Sequence, residues 1–423
     1  MRAWISRRVI ERLLSAARFP PLPAIEAAPG PASRVQAIRS NGSRGVNVFA
    51  YFRGQFGLGE SARLYVQALM GAGYPVALND IELVDVPHGF DDQGLVGEIC
   101  NEAPFDLNLI FVNPDFFQRA TEKIGHERLA GRYTIACWFW ELESIPEEWQ
   151  STLDRIDEVL VASEFVESAV RHVTAKPVLR VPLPLADQPD SGLQRTDFGL
   201  DADTFIFLSS FDFNSSVYRK NPLGAIAAFQ MAFPDPAENV RLVIKSSNGH
   251  RYPMEFFGLM DAAAADPRIL IREGIIERAH MHALQRCADA YVSLHRAEGF
   301  GLGLAECMAL GKPVIGTGWS GNREFMHPSN SFLVDYQLVP VPSGQYLHAE
   351  DGARWAEPSV IHAAELMRKV KDDTSFARRV GQRAASDVAK MLAPETAAAK
   401  IVQRLDEISS ARHGGSRQIP VRH

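Results

Sequence analysis

The sequence has few cysteines, no long apolar run and no excess of positive charge. Four cysteines are spread over 423 residues, and no two of them form a C-x-x-C pair. A disulfide framework and a structural zinc site are therefore not expected, and we interpret the cysteines as small buried thiols in a reducing compartment. The net charge of -7 argues against a basic coat for nucleic acid, so no nucleic-acid partner is expected.

The chain also lacks an apolar run of about 18 residues, so no membrane-spanning helix is expected. Residues 1–19 place apolar side chains at roughly helical spacing with arginines between them, which predicts a short basic amphipathic helix. The arginines interrupt any apolar core of a secretory signal peptide. Such a helix can lie on an anionic membrane surface or pack on the protein itself, and the sequence leaves both open.

From residue 45 onwards, apolar strand-like segments alternate with helix-like segments such as Glu60–Ala72. Strands that are apolar almost throughout indicate parallel sheets covered on both faces, so we predict an α/β fold with doubly wound parallel-sheet domains. The predicted strands of the first series are Val46–Tyr51, Tyr74–Leu78, Leu107–Val112, Tyr133–Phe139 and Val159–Ala162, and those of the second are Phe205–Ser209, Val240–Lys245, Ile269–Arg272, Ala290–Leu294 and Pro313–Gly316.

Prolines divide the chain. Residues 20–44 have the composition of a linker. Pro182 and Pro184 do not suit a central strand, and with the polar residues after them they indicate a hinge. The predicted parts are a basic helix and linker over 1–44, a first domain over 45–185, a second domain over 186–385, and a C-terminal helix and flexible tail over 386–423. The C-terminal helix is a candidate for packing against the first domain.

The most informative stretch is 295–322, HRAEGFGLGLAECMALGKPVIGTGWSGN, which follows the predicted strand Ala290–Leu294. Its glycines lead into a predicted helix, Leu302–Leu310, and a glycine turn at a helix N-terminus offers backbone N–H groups to a phosphate. Glu298 and Glu306, with seven residues between them, can accept hydrogen bonds from paired hydroxyl groups. The alternative is that Glu306 only complements the helix dipole and that Glu298 is solvated.

This stretch resembles the E-x7-E signature of retaining glycosyltransferases of family 4, which runs E-G-F-G-L-x-x-x-E-A-M-A-x-G-x-P-V-I. The resemblance extends more loosely over residues 45–410. It implies two Rossmann-like domains facing a cleft, the GT-B fold, with the acceptor on the side of the first domain and the nucleotide sugar bound by the second. The positions that match are Glu298, Gly299, Phe300, Gly301, Leu302, Glu306, Met308, Ala309, Gly311, Pro313, Val314 and Ile315.

The resemblance assigns Glu306 to the ribose hydroxyls of the nucleotide and Glu298 to the donor sugar. Backbone amides from Gly299, Phe300, Gly301 and Leu302 are expected to contact the sugar and phosphate. His295 and Arg296 stand where the family commonly has Pro-Ser, so their roles stay open; a structurally bonded histidine is one interpretation of His295.

Cations are expected in the segment 211–222, FDFNSSVYRKNP. A pyrophosphate leaving group gains negative charge as the glycosidic bond breaks, and cations aimed at that charge lower the barrier. Lys220 fits the family's R-K-G-like lysine, whereas the usual preceding arginine is missing, so Arg219 is expected to compensate. Lys245, at the end of its predicted strand, is a further donor-binding candidate. Surface charge on a loop is the alternative for these residues.

Two elements of the first domain complete the predicted site. The G-x-x-G-x-G segment Gly54–Arg63 differs from the dinucleotide fingerprint and resembles the first glycine loop of the same enzymes, with Gly57 and Gly59 as contact points; a simple turn is the alternative. In the segment 138–143, WFWELE, no histidine occupies the place where relatives put one near the sugar. Glu141 is the polar substitute, and the tryptophans can stack on sugars or form a structural cluster.

The expected function is that of a retaining glycosyltransferase that needs no metal or other cofactor. It moves a hexose from a nucleoside-diphosphate sugar to a lipid-linked or growing glycan, as in bacterial surface-polysaccharide synthesis, and mannose from GDP-mannose is the first candidate donor. The expected place is the cytoplasm, with residues 1–19 as a peripheral contact at the inner face of the plasma membrane. A sugar-nucleotide epimerase and a non-catalytic sugar-nucleotide-binding partner are the alternatives.

Overall fold

The computed structural model describes residues 7–25, 44–82, 95, 97–185 and 187–413. Predictions for most of the linker and for the tail beyond residue 413 lie outside these ranges. The described chain divides into two compact units. The N-terminal unit joins residues 44–185 to 390–413, and the C-terminal unit joins residues 7–25 to Asp187–Ala389.

The N-terminal unit contains a six-stranded parallel sheet with the order β2-β1-β3-β4-β5-β6. Its five predicted strands are present, and the three-residue β6 was missed. Elements are numbered along the chain: β1 Val46–Ala50, β2 Val76–Asp80, β3 Leu107–Ile110, β4 Tyr133–Trp138, β5 Glu158–Val161 and β6 Val178–Arg180. The helices here are α2 Gly57–Gly71, α3 Pro114–Ile124, α4 His126–Leu129, α5 Glu147–Gln150, α6 Glu164–Arg171 and α14 Pro394–His413.

The C-terminal unit contains a second six-stranded parallel sheet with the order β12-β11-β10-β7-β8-β9. Its strands are β7 Phe205–Ser210, β8 Val240–Ser246, β9 Ile269–Glu273, β10 Ala290–Ser293, β11 Val314–Thr317 and β12 Phe332–Val334. The helices of this unit are α1 Arg7–Ala16, α7 Val217–Lys220, α8 Pro222–Ala232, α9 Pro253–Ala264, α10 Arg278–Cys287, α11 Leu302–Ala309, α12 Val360–Asp372 and α13 Thr374–Met391, which ends just beyond the unit.

Both sheets confirm the predicted α/β class with doubly wound parallel strands. In the C-terminal sheet the strand order reverses between β7 and β10, so consecutive strands run outwards on either side of this pair. Open α/β sheets bind ligands beyond the carboxyl ends of the strands at such a switch point. The segments after β7 and β10 are therefore where a ligand site belongs.

An antiparallel hairpin lies outside the six-stranded sheet of the C-terminal unit and was not predicted. It pairs β13, Tyr336–Pro340, with β14, Arg354–Pro358. Much of β13 is exposed, and both strands contain proline, so the hairpin lacks the apolar run on which the strand predictions relied. We call residues 336–358 the hairpin.

The segment 7–25 adds to the C-terminal unit. Ala17 is buried in that unit's core, and its carbonyl accepts a 2.7 Å hydrogen bond from the Glu273 amide at the end of β9. Further along, the Pro23 carbonyl is 2.8 Å from Nε2 of His280 on α10. None of the helices in the described ranges is long and apolar enough to cross a membrane.

Some local expectations need correction. The predicted glycine turn 54–59 is shorter than expected, because α2 begins at Gly57. The expectation of four buried thiols is wrong for Cys100, which is exposed, and for Cys287, which is half-buried, whereas Cys137 and Cys307 are buried. Cys100 lies in an irregular segment between β2 and β3, whereas Cys137 lies in β4 and Cys307 in α11.

A buried ion pair ties the last helix to the N-terminal sheet. Arg404 of α14 contacts both carboxylate oxygens of Glu158 on β5 at 2.8–3.0 Å, and the Tyr133 hydroxyl donates to the same carboxylate at 3.0 Å. Glu158 is 1% exposed and Arg404 is 8% exposed. Removing one partner of a buried pair leaves an uncompensated charge in the interior.

We therefore expect Arg404→Ala to lower the free energy of unfolding by about 3–5 kcal/mol, measured by denaturant titration. Gln403→Ala is the control, because Gln403 is exposed on the same helix and donates to Glu407 in the next turn. It should change stability by less than about 0.5 kcal/mol. Equal effects of the two substitutions would contradict the role given to the buried pair.

Candidate active site

The candidate site lies in the C-terminal unit, beyond the carboxyl ends of β7 and β10. These strands are hydrogen-bonded neighbours, with Ala290 opposite Phe207 and Tyr291 opposite Leu208. The segment 211–221 follows β7, and the segment 294–301 follows β10. Adjacent parallel strands therefore bring the cationic segment and the first part of the E-x7-E motif together.

Three predicted catalytic residues meet there. Lys220 Nζ forms an ion pair and hydrogen bond with Oε1 of Glu298, and Arg219 Nη1 lies 3.4 Å from Oε2 of the same carboxylate. Glu298 is 7% exposed and Arg219 is 4% exposed. We call Glu298, Arg219 and Lys220 the Glu298 cluster.

The backbone conformation of residues 215–221 orients the side chains of Arg219 and Lys220. Ser216 and Asn221, with φ of 65° and 51°, flank the single turn α7, and Ser216 Oγ accepts a hydrogen bond from the Arg219 amide at 3.3 Å. The guanidinium of Arg219 donates to the Ala297 carbonyl at 2.7 Å and to the Ser215 carbonyl at 3.1 Å. Arg219 thus links the segment after β7 to the residue just before Glu298.

The electrostatics of Glu298 are set by this pairing. Burial raises the pKa of its carboxyl group, but the charges of Lys220 and Arg219 outweigh burial and hold that pKa at about 2. The side chain is a carboxylate throughout the physiological pH range. The two cations against one carboxylate leave the cluster with a net positive charge.

His295 is a buried structural residue in the described geometry. Burial lowers the pKa of its imidazole, so the ring is neutral. Nε2 is 3.0 Å from Asn322 Oδ1, while the Asn322 amide nitrogen donates to the Thr317 carbonyl at 2.9 Å. Oδ1 is therefore the acceptor, Nε2 carries the proton, and Nδ1 accepts from Ser293 Oγ at 3.1 Å. These bonds favour the structural interpretation of His295.

The glycine turn leads from Glu298 to α11. Gly301 has a φ of 94° and precedes the first helical residue, Leu302. A 3₁₀ turn at Gly321–Glu324 packs against this segment so closely that a Cβ on Gly321 would lie 2.1 Å from the Gly299 carbonyl. The Phe300 side chain is buried against Phe325, so Phe300 can contact a ligand only through its backbone.

Glu306 occupies a second, separate cluster on α11. Arg278 of α10 pairs with Oε1, and Gln285 Nε2 of the same helix donates to Oε2 at 2.8 Å. Glu306 is 3% exposed. His282 Nε2 also lies 4.0 Å from Oε1. A carboxylate has about four acceptor positions, so these neighbours fix its orientation and leave room for hydroxyl donors. Sequence analysis did not identify Arg278 or Gln285, which carry no local motif.

Lys245 lies at the end of β8, beside β7, and does not join the Glu298 cluster. Burial lowers the pKa of its ammonium group, and the nearby carboxylates of Asp212 and Glu273 act in the opposite direction. Asp212 Oδ2 accepts hydrogen bonds from Ser247 Oγ at 2.9 Å and from Asn248 Nδ2 at 2.7 Å. Asp212 occupies the region in which the sequence resemblance implies an arginine.

Gly57, Gly59 and Glu141 lie in the N-terminal unit. A Cβ on Gly59 would lie 2.7 Å from the Tyr51 carbonyl, so glycine is required for close packing of α2, whereas Gly57 has open space around its Cα. Glu141 is half-buried after β4. The adjacent Trp140 packs edge-on against Trp149 and donates to the Ser144 carbonyl, which favours the structural aromatic cluster.

Within the residues that the structure describes, no three His, Cys, Asp or Glu side chains gather as metal ligands. The D-x-D sequence at Asp201–Asp203 forms a turn, and Asp201 pairs with Arg241 at 3.0 Å.

Comparison with known proteins gives a family for part of the chain. Residues 204–340 match the family model described as glycosyl transferases group 1. Trehalose synthase of Rubrobacter xylanophilus is 24% identical over 205 residues, which cover 47% of this chain and 43% of the relative. The chain therefore spans less than half of the length of this curated relative.

Solved structures show the same fold over most of the chain. HepE of Anabaena, crystallised with UDP and glucose, has a TM-score of 0.59 and 13% identity, covering 86% of this chain and 100% of HepE. Sucrose-phosphate synthase of Thermosynechococcus elongatus has a TM-score of 0.61 and 16% identity, covering 87% and 100%. These likenesses show that the chain has the GT-B fold of glycosyltransferase structures, and the match to the group 1 model covers residues 204–340. The matched residues 204–340 contain both motif glutamates.

The ionisation of Glu298 predicts a pH-dependent stability. Its pKa falls on folding to about 2, so its pairing stabilises the protein fully above the unfolded-state pKa of about 4.3 and is lost as the pH falls towards 2. Lys220→Met should raise the pKa of Glu298. The destabilisation by Lys220→Met should therefore be larger at pH 6 than at pH 3.5, measured by urea unfolding.

Glu298→Gln provides the control background, since glutamine does not titrate. In that background the destabilisation by Lys220→Met should be the same at both pH values. A pH dependence that persists without the carboxylate would show that another group causes it.

Proposed function

We propose that this chain is a retaining, metal-independent glycosyltransferase that moves a hexose from a nucleoside-diphosphate sugar to a glycan or lipid-linked acceptor. The observation that carries the proposal is the Glu298 cluster at the switch point of the C-terminal sheet. Two cations lie there beside a glycine turn and a helix N-terminus, and both features suit a diphosphate. The family match over residues 204–340 supports the same reaction class.

The cations act on the leaving group. As the bond between the sugar C1 and the phosphate oxygen breaks, negative charge develops on the diphosphate. Lys220 and Arg219, already oriented by Glu298 and the Ala297 carbonyl, stabilise that charge without reorganisation. In a front-face transfer, the departing phosphate oxygen accepts the proton of the acceptor hydroxyl. The acceptor oxygen then bonds to C1 on the face that the phosphate leaves, which retains the configuration.

The two glutamates divide the donor between them. Glu306, fixed by Arg278 and Gln285, accepts hydrogen bonds from the two ribose hydroxyls. Glu298 orients the sugar while it holds Lys220. Backbone amides of Gly299, Phe300, Gly301 and Leu302 bind the sugar and phosphate.

Further donor contacts are proposed in both units. Lys245, half-buried at the end of β8, is proposed as a further cation for the donor. Gly57, Gly59 and Glu141 are proposed contacts from the N-terminal unit, and the sequence resemblance is their support.

We also propose the base of the donor nucleotide and the class of acceptor. From the sequence, GDP-mannose is the first candidate donor. The solved neighbour HepE holds UDP and glucose, and this ligand pair favours a UDP-sugar. The acceptor proposed is a lipid-linked or growing glycan of bacterial surface-polysaccharide synthesis. Residues 1–19 are proposed as a peripheral membrane contact at the inner face of the plasma membrane.

One observation favours a second function, that of a non-catalytic sugar-nucleotide-binding partner. Asp212 lies where the sequence resemblance implies an arginine, and its carboxylate accepts hydrogen bonds from Ser247 and Asn248. Such a protein would bind nucleotide and show no turnover with any donor or acceptor.

A nucleotide panel tests the binding role. UDP, GDP, ADP, CDP and TDP are added without metal to wild type and to Glu306→Ala, and the melting temperature is measured. One nucleotide should raise the melting temperature of wild type, because it binds only the folded state, and the shift should vanish in the variant. No shift with any nucleotide, in protein shown to be folded, would contradict the proposed function.

A substitution of Lys220 tests the catalytic role. Lys220→Ala should lower kcat by about 10²- to 10³-fold, because it removes a group that stabilises charge in the transition state. The matched control is Lys390→Ala, an exposed lysine on α13. Steady-state kinetics with the donor identified by the panel measures both, and an unchanged kcat for Lys220→Ala would remove Lys220 from the mechanism.

A further inference from the structure

The sequence assigned no role to Arg296. Its side chain connects the hairpin to α7. The guanidinium binds Glu357 of the hairpin through Nε at 2.5 Å and Nη2 at 2.9 Å, in a bidentate ion pair. The third nitrogen, Nη1, donates to the Tyr218 carbonyl of α7 at 2.5 Å. One planar group therefore connects the hairpin to the turn that carries Arg219 and Lys220.

The backbone of Arg296 makes the same connection. Its amide donates to the Arg219 carbonyl at 2.7 Å, and its own carbonyl accepts from the Ala356 amide at 2.9 Å. The last carbonyls of a helix have no partner within the helix. Arg296 thus satisfies two consecutive carbonyls of α7, one with its side chain and one with its backbone.

The hairpin makes further contacts with the same turn. Ser216 Oγ donates to the Gln345 carbonyl at 2.8 Å, and the Arg219 guanidinium lies 5.9 Å from the ring centroid of Tyr346. On the other side, Arg296 lies 5.4 Å from the ring of the buried Trp355. The Arg296 guanidinium is therefore held between an aromatic face and a carboxylate of one strand, β14.

We propose that Arg296, anchored by Glu357, is a positioning residue that holds Arg219 and Lys220 against Glu298, so that the hairpin belongs to the catalytic machinery. This inference rests on the proposed function. A single-turn helix with unsatisfied terminal carbonyls frays readily, and fraying of α7 would move both cations. Lysine cannot replace Arg296, because an ammonium group does not offer the fork that binds Glu357 and the Tyr218 carbonyl in one plane.

The same residues explain why this chain needs the support. Arg219, the second cation of the Glu298 cluster, lies on a helix of only four residues. A short turn flanked by two residues with positive φ has little rigidity of its own. Arg296 and the hairpin provide the rigidity from outside the turn.

Kinetics of Arg296→Lys and Glu357→Gln test the proposal, with Gln337→Ala as control. Gln337 is exposed and directly opposite Glu357 in the hairpin register. Arg296→Lys should lower kcat about 10- to 100-fold, since small misplacement of a catalytic group has effects of this size. KM for the donor should change less than kcat, Glu357→Gln should show an intermediate loss, and Gln337→Ala should show none.

A double substitution separates positioning from general destabilisation. In a Lys220→Ala background, Arg296→Lys should cost less in kcat than it does in wild type, because one of the two cations that Arg296 positions is already absent. An equal fold-loss in both backgrounds would overturn the proposal.

A measurement without turnover distinguishes this proposal from the proposed function. In an Arg296→Lys background, the pH dependence of the destabilisation by Lys220→Met should shrink, because Lys220 no longer lies firmly against Glu298. If that pH dependence is unchanged, Arg296 does not position Lys220 and the proposal fails. If it shrinks while wild type binds nucleotide and transfers no sugar, the positioning role stands and the proposed activity fails.

Discussion

The buried carboxylate of Glu298 between Lys220 and Arg219 is the interaction on which the site depends. Glu298 lies in the segment after β10 and both of its partners lie in the segment after β7, so they meet only because the two strands are neighbours in the sheet. The reversal of strand order between them leaves room beyond their carboxyl ends. A change of strand order would separate the charges, so the topology of the sheet is a condition of the chemistry.

Stability alone does not explain this cluster. Burying three charges costs solvation free energy, and well-packed apolar residues in place of a buried ion pair are often as stable or more stable. What apolar residues cannot provide is a pre-oriented positive field. With two cations against one carboxylate, the cluster keeps a net positive charge that suits a diphosphate. The cost of desolvation is met when the protein folds rather than during the reaction.

Much of the fold could be predicted because central strands of parallel sheets are short, apolar runs between turn residues. β1 and β4 have this form, and their predicted bounds are close to those observed. β6 and β12 have only three residues each and give no such signal. The hairpin has one largely exposed strand and contains prolines, which are features that also describe a loop.

The candidate site divides in the same way. Glu298, Glu306 and the glycines form one local motif, so their proximity follows from sequence spacing. The partners that orient them come from elsewhere: Gln285 is 21 positions from Glu306, and Glu357 is 61 positions from Arg296. A single sequence has no local signal for such pairs, because the tertiary fold alone brings them together. The motif could therefore be predicted from the sequence, whereas the residues that hold it in place could not.

The composition of the two units has a consequence for biosynthesis. Each unit includes a segment from the opposite end of the chain: residues 7–25 join the C-terminal unit, and residues 390–413 join the N-terminal unit. Pro23 and His280 are 257 positions apart, and Glu158 and Arg404 are 246 positions apart. On the ribosome, the first sheet is complete long before the helix that neutralises Glu158 has been made. The N-terminal unit therefore cannot reach its final state until residues 390–413 have been made, and residues 7–25 cannot reach theirs until β9 and α10 have been made.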